Sequence, residues 1–299
     1  MNSQLDTDAA DENHQALMRS SLNHAAEHFG LNLSGEPVYG WRLRTIGAAA
    51  TGPRHGTCWL RVVSEFPQWA HGDTWTGNSD ANTLTNISKP RVLDTHTWNE
   101  HWKVMRAEVM TLVKDAPCSQ TEEPPAELNL PSKWWETLRR NLDSLASQPT
   151  PRSRVTQEEA TRRLQVFFGD RIDPTITHWT TAHGDLHWAN LTAPDLAIMD
   201  WEHWGTAPAG YDAATLLCYS LTNPDLIAQI RRHFAHILDT PTGHLAQLLV
   251  ITRLLLRIET GDHPHLAIPL HHHAKDLLAR EAHLVIQALY RCVLGPPDG

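Results

Sequence analysis

The chain has 299 residues, enough for one large domain or two lobes with a substantial core. Hydrophobic residues make up 41% and charged residues 20%, as is usual in globular proteins, and the formal net charge is −9. This charge argues against non-specific nucleic-acid binding, because phosphate contacts need clustered Lys and Arg. It suits a cationic small substrate, although many acidic proteins bind no cation.

The beginning of the chain, MNSQLDTDAADENHQ, is polar and acidic. It lacks the basic and apolar regions of a signal peptide. The most apolar long stretch, 245–258, is interrupted by Arg253 and Arg257 and is too short to span a bilayer. We therefore expect a cytoplasmic protein without membrane contacts.

The first third of the chain predicts a small β-rich lobe with one or two helices. Residues 14–30 show the apolar spacing of an amphipathic helix that ends at Gly30. Strand-like runs follow, and a polar segment between them has room for one short helix. The strand-like runs lie within 38–66, 90–98 and 102–113, and the polar segment covers 67–90.

Helical patterns dominate the rest of the chain. Thr156 and Glu159 have the spacing of a capping box before a helix that ends at Phe168. Residues 178–190 and 196–201 are short and strand-like around turns. Further helices are predicted at 132–146, 209–222, 224–238, 241–260 and 270–292.

Together these patterns predict an α+β fold with two lobes and a cleft between them. The β-rich N-terminal lobe covers 1–115 and the helical C-terminal lobe covers 132–299. The proline-rich, acidic segment 116–131 between them is interpreted as the inter-lobe linker.

Histidine is abundant, at 20 residues, and three of them form the run His271–His273. Such a run resembles a metal-binding tract. It lies inside a periodic helical segment, however. We therefore interpret it as a solvated helix face.

Three oxygen-bearing side chains stand close together in HGDLHWAN (183–190) and IMDWE (198–202). Phosphoryl transfer needs one carboxylate to orient the attacking hydroxyl and accept its proton, and two oxygen ligands to hold Mg²⁺ on the nucleotide phosphates. Asp185 fits the first role, and Asn190 and Asp200 fit the second. The ten-residue step between the two ligands is long enough for a tight hairpin that returns Asp200 beside Asn190.

With Gly210-Tyr211-Asp212 further on, these motifs resemble those of the aminoglycoside phosphotransferase and choline kinase superfamily, which has the protein-kinase-like fold. The resemblance is carried by 183–217, and the layout of elements agrees over 14–295.

The resemblance implies roles for individual residues. Asp185 would be the catalytic base, and His183 would support its loop. Asn190 and Asp200 would bind Mg²⁺. Asp212 would be a buried carboxylate that braces the loop.

The resemblance also implies the reactants. The phosphoryl donor would be ATP or GTP with Mg²⁺, and the acceptor would be a small-molecule hydroxyl. Aminoglycosides, other antibiotics, choline, amino-acid alcohols and sugars are acceptors in the superfamily.

The expected nucleotide contacts in the first lobe are less regular. The candidate turn over the nucleotide contains Gly47, Ala48 and Ala49, without the spacing of a kinase Gly-rich loop and without a Walker Gly-Lys-Ser/Thr. Arg61 stands where the superfamily usually has Lys, and an Arg can bind phosphate through its bidentate fork. The alternative is an Arg on the exposed face of an edge strand.

The carboxylate partner of Arg61 is left open between two residues of the polar segment, Asp73 and Asp80.

The acceptor site would lie against the helical lobe. Glu202 either faces a cationic acceptor or braces the loop. Trp188 and Trp204 either wall the acceptor pocket or belong to the core. Glu259 and Asp262 either add negative charge to the site or are plain surface residues.

Two other functions remain open. One is a catalytically weak kinase-like protein that binds a nucleotide or partner. The other is a metal-dependent phosphoesterase that uses His183, Asp185 and His187. It is disfavoured because the sequence lacks the D-x-H and G-N-H-[DE] motifs that complete a two-metal site. His187 is then expected to be packed or solvent-facing.

Overall fold

The structure, a computed structural model, describes the backbone of residues 2–294 and the side chains of residues 11–280. It divides into two compact units. The first contains the residues up to Thr83, Lys89–Lys114 and Asp200–Glu202. The second contains Leu84–Ser88, Asp115–Met199 and the residues from His203 onward. The predicted linker over 116–131 stays a prediction.

The first unit contains one five-stranded antiparallel sheet in the order β1-β2-β3-β5-β4. Its helices are α1 (Asn2–Phe29) and α2 (Gly72–Asp80). Its strands are β1 (Asn32–Tyr39), β2 (Thr45–Gly52), β3 (Gly56–Glu65), β4 (Val92–Glu100) and β5 (Lys103–Thr111).

The core of the first unit forms where α1 packs on this sheet. The helix buries an apolar stripe at the spacing of successive turns: Met18, Leu22, Ala25 and Ala26. Burial of a Leu or Met side chain contributes about 1.5–3 kcal/mol each. The sheet contributes Ile46, Ala48, Leu60, Val62, Met105 and Val109 to the same cluster.

The end of α1 is where the sequence predicts it. Gly30 has a φ of +63°, which favours glycine. The Leu31 amide then donates to the Ala26 carbonyl at 2.8 Å and closes the helix end.

The predicted turn over the nucleotide is wrong in its conformation. Gly47, Ala48 and Ala49 lie within β2 and pair with β3, and the chain reverses instead at 53–55. The small residues serve packing between the strands. A Cβ on Gly47 would lie 2.6 Å from the indole nitrogen of Trp59.

The second unit consists mainly of helices, as predicted, and the α+β fold class is confirmed. Its helices are α3 (Ser132–Ala146), α4 (Gln157–Phe168), α5 (Tyr211–Tyr219), α6 (Pro224–Leu238), α7 (Pro241–Glu259) and α8 (Ala267–Leu294). Two short antiparallel pairs join β6 (Ala116–Pro117) to β8 (Thr192–Ala193), and β7 (Trp179–Ala182) to β9 (Gly205–Pro208).

Two features of these helices matter for the rest of the unit. The N-cap half of the capping box is formed, since the Glu159 amide donates to Thr156 Oγ1 at 3.2 Å, whereas the Glu159 carboxylate binds Arg163. Helix α7 is buried along most of its length and contacts α4, α5, α6 and α8.

Among the described residues, no helix is long and apolar enough to cross a membrane.

Helix α2 lies against Asp200–Glu202 within the first unit. The Asn78 side chain accepts a hydrogen bond from the Trp201 amide at 2.8 Å and donates to Glu108 at 2.9 Å. Gly77 allows this close approach, since a Cβ there would lie 2.5 Å from the carbonyl oxygens of Trp201 and Glu202.

We predict that Gly77→Ala destabilises the protein by about 1–3 kcal/mol, because the added methyl group overpacks a backbone contact. Urea unfolding measures the change. Thr74→Ala, at an exposed position of the same helix, is the control and should leave the free energy of unfolding nearly unchanged. Equal stability of Gly77→Ala and the wild type would contradict the packing described.

Candidate active site

A buried carboxylate holds the loop that carries HGDLHWAN. Asp212, in the first turn of α5, accepts hydrogen bonds from the amides of His183 at 2.7 Å and Gly184 at 2.9 Å. Burial raises the pKa of Asp212 to about 6, against the lowering effect of the two N–H donors. The carboxylate thus occupies the bracing position expected from the resemblance.

Gly184 could not easily be another residue. Its φ is +82°, and a Cβ would clash with the His203 carbonyl. The left-handed turn at this glycine sets the direction in which the chain enters Asp185.

His183 is fully buried and is bound through both ring nitrogens. Nε2 lies 2.8 Å from the Met199 carbonyl, which makes it the donor, and Nδ1 accepts from the Asp185 amide at 3.3 Å. Burial lowers the pKa of His183 to about 4, so the ring is neutral at neutral pH. It supports the loop and has no ring nitrogen left for a metal ion.

Asp185 is held by a guanidinium group. Arg253 Nη1 lies 3.0 Å from Asp185 Oδ1 and 3.3 Å from the Gly184 carbonyl, and His187 Nε2 lies 3.5 Å from Oδ2. Burial alone would raise the pKa of Asp185, but Arg253 and His187 outweigh it and hold the pKa well below its usual range. The carboxylate is therefore ionised and oriented.

Arg253 is the residue that sequence reasoning missed. It lies on α7, where the sequence pattern shows it only as an interruption of an apolar stretch. Its Nε and Nη2 atoms are buried and have no hydrogen-bond partner among the described residues. The signal was present, because an Arg inside a buried helix requires a partner, and a carboxylate is the usual one.

Asn190 lies at the end of a short 3₁₀ turn that follows His187. Its Nδ2 donates to the Asp185 carbonyl at 3.0 Å and lies 3.2 Å from His187 Nε2. Oδ1 has no hydrogen-bond donor among the described residues and has the amide-oxygen chemistry that Mg²⁺ accepts. His187 is packed, as expected, but it packs directly on Asp185 and Asn190.

Arg61 is the centre of a charge cluster in the first unit. Its guanidinium group binds Glu202, lies 3.2 Å from Glu108 and lies 3.7 Å from Asp200. Burial alone would lower the pKa of Arg61, but these carboxylates outweigh it and raise the pKa.

This cluster corrects two expectations for Arg61. The side chain is 13% exposed on β3, the middle strand of the sheet, so it does not lie on an exposed edge. Its carboxylate partners differ from Asp73 and Asp80, the two that the sequence suggested. Glu108 lies on the neighbouring strand β5, and Glu202 lies two residues after Asp200. Local sequence patterns do not indicate that either carboxylate contacts Arg61.

Glu202 is 5% exposed and is bound by two guanidinium groups, those of Arg61 and Arg44, the latter at 2.6 Å. Burial would raise the pKa of Glu202, but the two arginines outweigh it and lower the pKa to about 2. The expectation that Glu202 faces a cationic acceptor is therefore wrong, since its charge is already neutralised. The structure supports the alternative, that Glu202 braces its segment.

Asp200 differs from Glu202 in exposure. Its side chain is 46% exposed, and its backbone has a φ of +58°. Left-handed backbone at a residue other than glycine is strained and is common at functional sites. The exposed carboxylate has the ligand chemistry that Mg²⁺ prefers.

Trp188 and Trp204 are both buried, so neither presents its ring to an acceptor pocket. Trp188 is fully buried, and its indole donates to Ser220 at 2.9 Å. Trp204 is 4% exposed, and the Arg152 guanidinium lies 4.6 Å from its ring centre. The structure favours the other alternative for both residues, that they belong to the core.

The phosphoesterase alternative also loses support. Both ring nitrogens of His183 are engaged by backbone groups, the Met199 carbonyl and the Asp185 amide. Of the two acidic surface candidates, Asp262 is paired with Arg257 at 3.0 Å and Glu259 is exposed.

Comparison with known proteins finds similarity in structure. No protein-family model matches the sequence, and no curated protein matches it either. An amicoumacin kinase, hAmiN, in complex with AMP-PNP, Ca²⁺ and Ami matches with a TM-score of 0.53 and 12% identity, over 88% of this chain and 93% of that one. The aminoglycoside phosphotransferase APH(4)-Ia matches with a TM-score of 0.57 and 11% identity, over 87% of this chain and 98% of that one.

The chain therefore has the fold of these kinases over most of its length. This likeness confirms, at the level of the fold, the resemblance carried by the motifs.

We predict that Glu202→Gln destabilises the protein by about 3 kcal/mol, because it removes the buried carboxylate that two partly buried guanidinium groups share. Urea unfolding measures the loss. Glu65→Gln removes a carboxylate that binds Arg44 at 3.1 Å and is the control, with an expected loss of about 1 kcal/mol or less. Equal losses in the two variants would contradict the central place of Glu202.

We predict that His183 makes stability depend on pH. Its pKa is lowered from 6.5 to about 4 in the folded protein, so the unfolded chain binds the proton more readily. The stability contributed by the neutral ring is fully present above pH 6.5 and is lost as the pH falls toward 4. The loss approaches about 3 kcal/mol.

The comparison with His183→Gln isolates this effect, because the variant cannot titrate at this position. The difference in unfolding free energy between wild type and variant should shift in favour of the variant as the pH falls. A difference that stays constant from neutral pH to about pH 4 would refute the assignment.

Proposed function

We propose that this protein is an ATP-dependent phosphotransferase that moves the γ-phosphoryl group to a hydroxyl of a small molecule. The observation that carries the proposal is the geometry of Asp185. It is ionised, partly exposed and fixed by Arg253 on a loop that Asp212 braces. The shared fold with an amicoumacin kinase and an aminoglycoside phosphotransferase supports it.

Asp185 orients the acceptor hydroxyl and accepts its proton as phosphoryl transfer proceeds. Its low pKa makes it a weak base in the ground state. Orientation of the hydroxyl is therefore its larger contribution, which agrees with a loose transition state in which the nucleophile needs little deprotonation at the start.

Asn190 and Asp200 would hold Mg²⁺ through the amide Oδ1 and the carboxylate. For Asn190, this role is supported by the hydrogen bond from Nδ2 to the Asp185 carbonyl, which fixes the side chain. For Asp200, it is supported by the exposed carboxylate and the strained backbone of that residue. When bound, the ion would neutralise charge on the nucleotide phosphates.

Arg61 acts on the nucleotide site indirectly. Its guanidinium group is committed to Glu108 and Glu202, so we propose that it holds the segment Asp200–Glu202 in place. A lysine at this position has one compact charge, whereas the planar fork of Arg61 binds two carboxylates at once. Gly47, Ala48 and Ala49 would contribute strand backbone rather than a flexible turn.

We propose hydroxylated, amine-bearing small molecules as acceptors, with aminoglycoside-like antibiotics as the first to test. The −9 charge of the chain favours a cation. The structural neighbours named as an amicoumacin kinase and an aminoglycoside phosphotransferase suggest the same acceptor class.

We predict that ADP release with Mg²⁺ and ATP depends on one or more members of a panel of aminoglycosides, other hydroxylated antibiotics, choline and sugars. Asp185→Asn and Asp200→Ala should each abolish this release and leave the fold intact, because one loses the acceptor contact and the other a metal ligand. Circular dichroism and the melting temperature check the fold.

Asp195→Asn is the matched control, an exposed aspartate in the same segment, and should keep full activity. Full activity of Asp200→Ala would show that the metal assignment is wrong. Acceptor-independent ADP release that survives in Asp185→Asn would contradict the proposed role of Asp185.

A second candidate is a nucleotide-binding protein with little turnover. The observations that favour it are the engagement of Asp185 by Arg253 and of Arg61 by carboxylates. A thermal-shift titration with ATP and Mg²⁺ separates the two. Nucleotide binding without Asp185-dependent turnover across the panel would favour this candidate.

A further inference from the structure

Three histidine rings meet on the surface of the first unit, on elements that the proposed chemistry does not use. His24 and His28 are exposed and one turn apart on α1, so their side chains lie on the same face of the helix. His96 lies on β4, the edge strand of the sheet. Residues 94, 96 and 98 of that strand are half-buried while 93, 95 and 97 are exposed, so His96 lies on the more covered face of the strand.

The rings are close to one another. The ring centres of His28 and His96 are 3.6 Å apart, with the planes nearly parallel. His24 lies 6.2 Å from His96 and 4.8 Å from Trp98. Trp98 in turn stacks on His96 at 5.4 Å.

None of the three imidazoles has a hydrogen bond from a ring nitrogen to another described residue, so the nitrogen lone pairs are available. Burial lowers the pKa of His96, and the neighbouring His28 and His24 lower it further. The neutral ring is the form that binds metal ions.

We propose that His24, His28 and His96 bind a divalent transition-metal ion, with Zn²⁺ as the representative. Imidazole nitrogens suit Zn²⁺, Cu²⁺ and Ni²⁺, whereas Mg²⁺ prefers oxygen ligands. Two histidines one turn apart on a helix are a common chelating pair. The third ring, from another element, makes the site more than a surface pair.

The spacing of the rings fits such an ion after one side chain moves. With metal–nitrogen bonds of about 2.1 Å, three imidazoles on a tetrahedral ion have ring centres about 5 Å apart. His24 and His96 are slightly farther apart than this, and His28 and His96 are closer. Within the described residues no three ligands already surround one point. The stacked pair must therefore open, and the exposed His28 can turn on the nanosecond timescale of side-chain rotation.

The bound ion would join α1 to the edge strand β4. These elements are far apart in the sequence, at residues 24–28 and 96. Cross-linking them stabilises the folded state in proportion to ligand occupancy. It would also restrain β4, an edge strand whose outer backbone groups have no neighbouring strand in the described sheet.

The experiment uses the full chain without an affinity tag, dialysed against chelator and then titrated with ZnCl₂. We expect a rise in melting temperature of a few degrees and one zinc ion that is lost in His24→Ala/His28→Ala and in His96→Gln. Co²⁺ in place of Zn²⁺ should give the visible absorption of a nitrogen-ligated ion in the wild type and in neither of these site variants.

The matched control is His271→Ala/His272→Ala, which removes two exposed histidines that are adjacent in sequence on α8 and point in different directions. It should keep both the bound zinc and the rise in melting temperature. MgCl₂ should give neither effect through these residues.

Two results would overturn the proposal. One is the same zinc stoichiometry and thermal shift in the wild type and in both site variants. The other is an equal loss in the α8 control, which would assign the zinc to scattered surface histidines. Because the variants lie outside the catalytic segment, phosphotransferase activity and zinc binding can succeed or fail separately.

Discussion

The candidate active site depends on one buried carboxylate, that of Asp212. By accepting the amides of His183 and Gly184, it holds the backbone of the loop in a turn that only glycine tolerates at 184. Hydrogen bonds to a charged acceptor contribute about 1.5–3 kcal/mol each, which offsets the cost of burial that the raised pKa records. The neutral ring of His183 and the direction of Asp185 follow from that turn.

In each unit an arginine binds a carboxylate of the candidate site. In the second unit Arg253 binds Asp185, and in the first unit Arg61 binds Glu202, next to Asp200. A guanidinium group is suited to this task because it is always charged and binds two partners in fixed directions. In both units the arginine holds the pKa of the carboxylate that it binds below its usual range, and in the first unit the exposed Asp200 lies two residues before that carboxylate.

Local patterns in the sequence predicted the regular elements well. The helix end at Gly30, the N-cap at Thr156 and the hairpin of β4 and β5 depend on neighbours within a few residues, and the structure has each of them. The bracing position of Asp212 was implied by the family resemblance and not by local patterns.

Contacts between distant parts of the chain could not be predicted in this way. Arg253 is 68 residues from Asp185, and Glu202 is 141 residues from Arg61. Such partners are chosen by the packing of whole elements, which local spacing does not record. The same reason applies to Trp188 and Gly47, for which the sequence suggested binding roles. Trp188 is instead packed in the core, and Gly47 makes room for Trp59 on the next strand.

The central claim is that the phosphoryl group reaches a hydroxyl acceptor under the control of Asp185. Phosphorus NMR of the products formed from ATP, Mg²⁺ and an acceptor from the panel tests it most directly, because a phosphate ester and inorganic phosphate give different signals. The account predicts a phosphate ester with the wild type and none with Asp185→Asn. Inorganic phosphate as the sole product, or an ester that forms equally with Asp185→Asn, would contradict it.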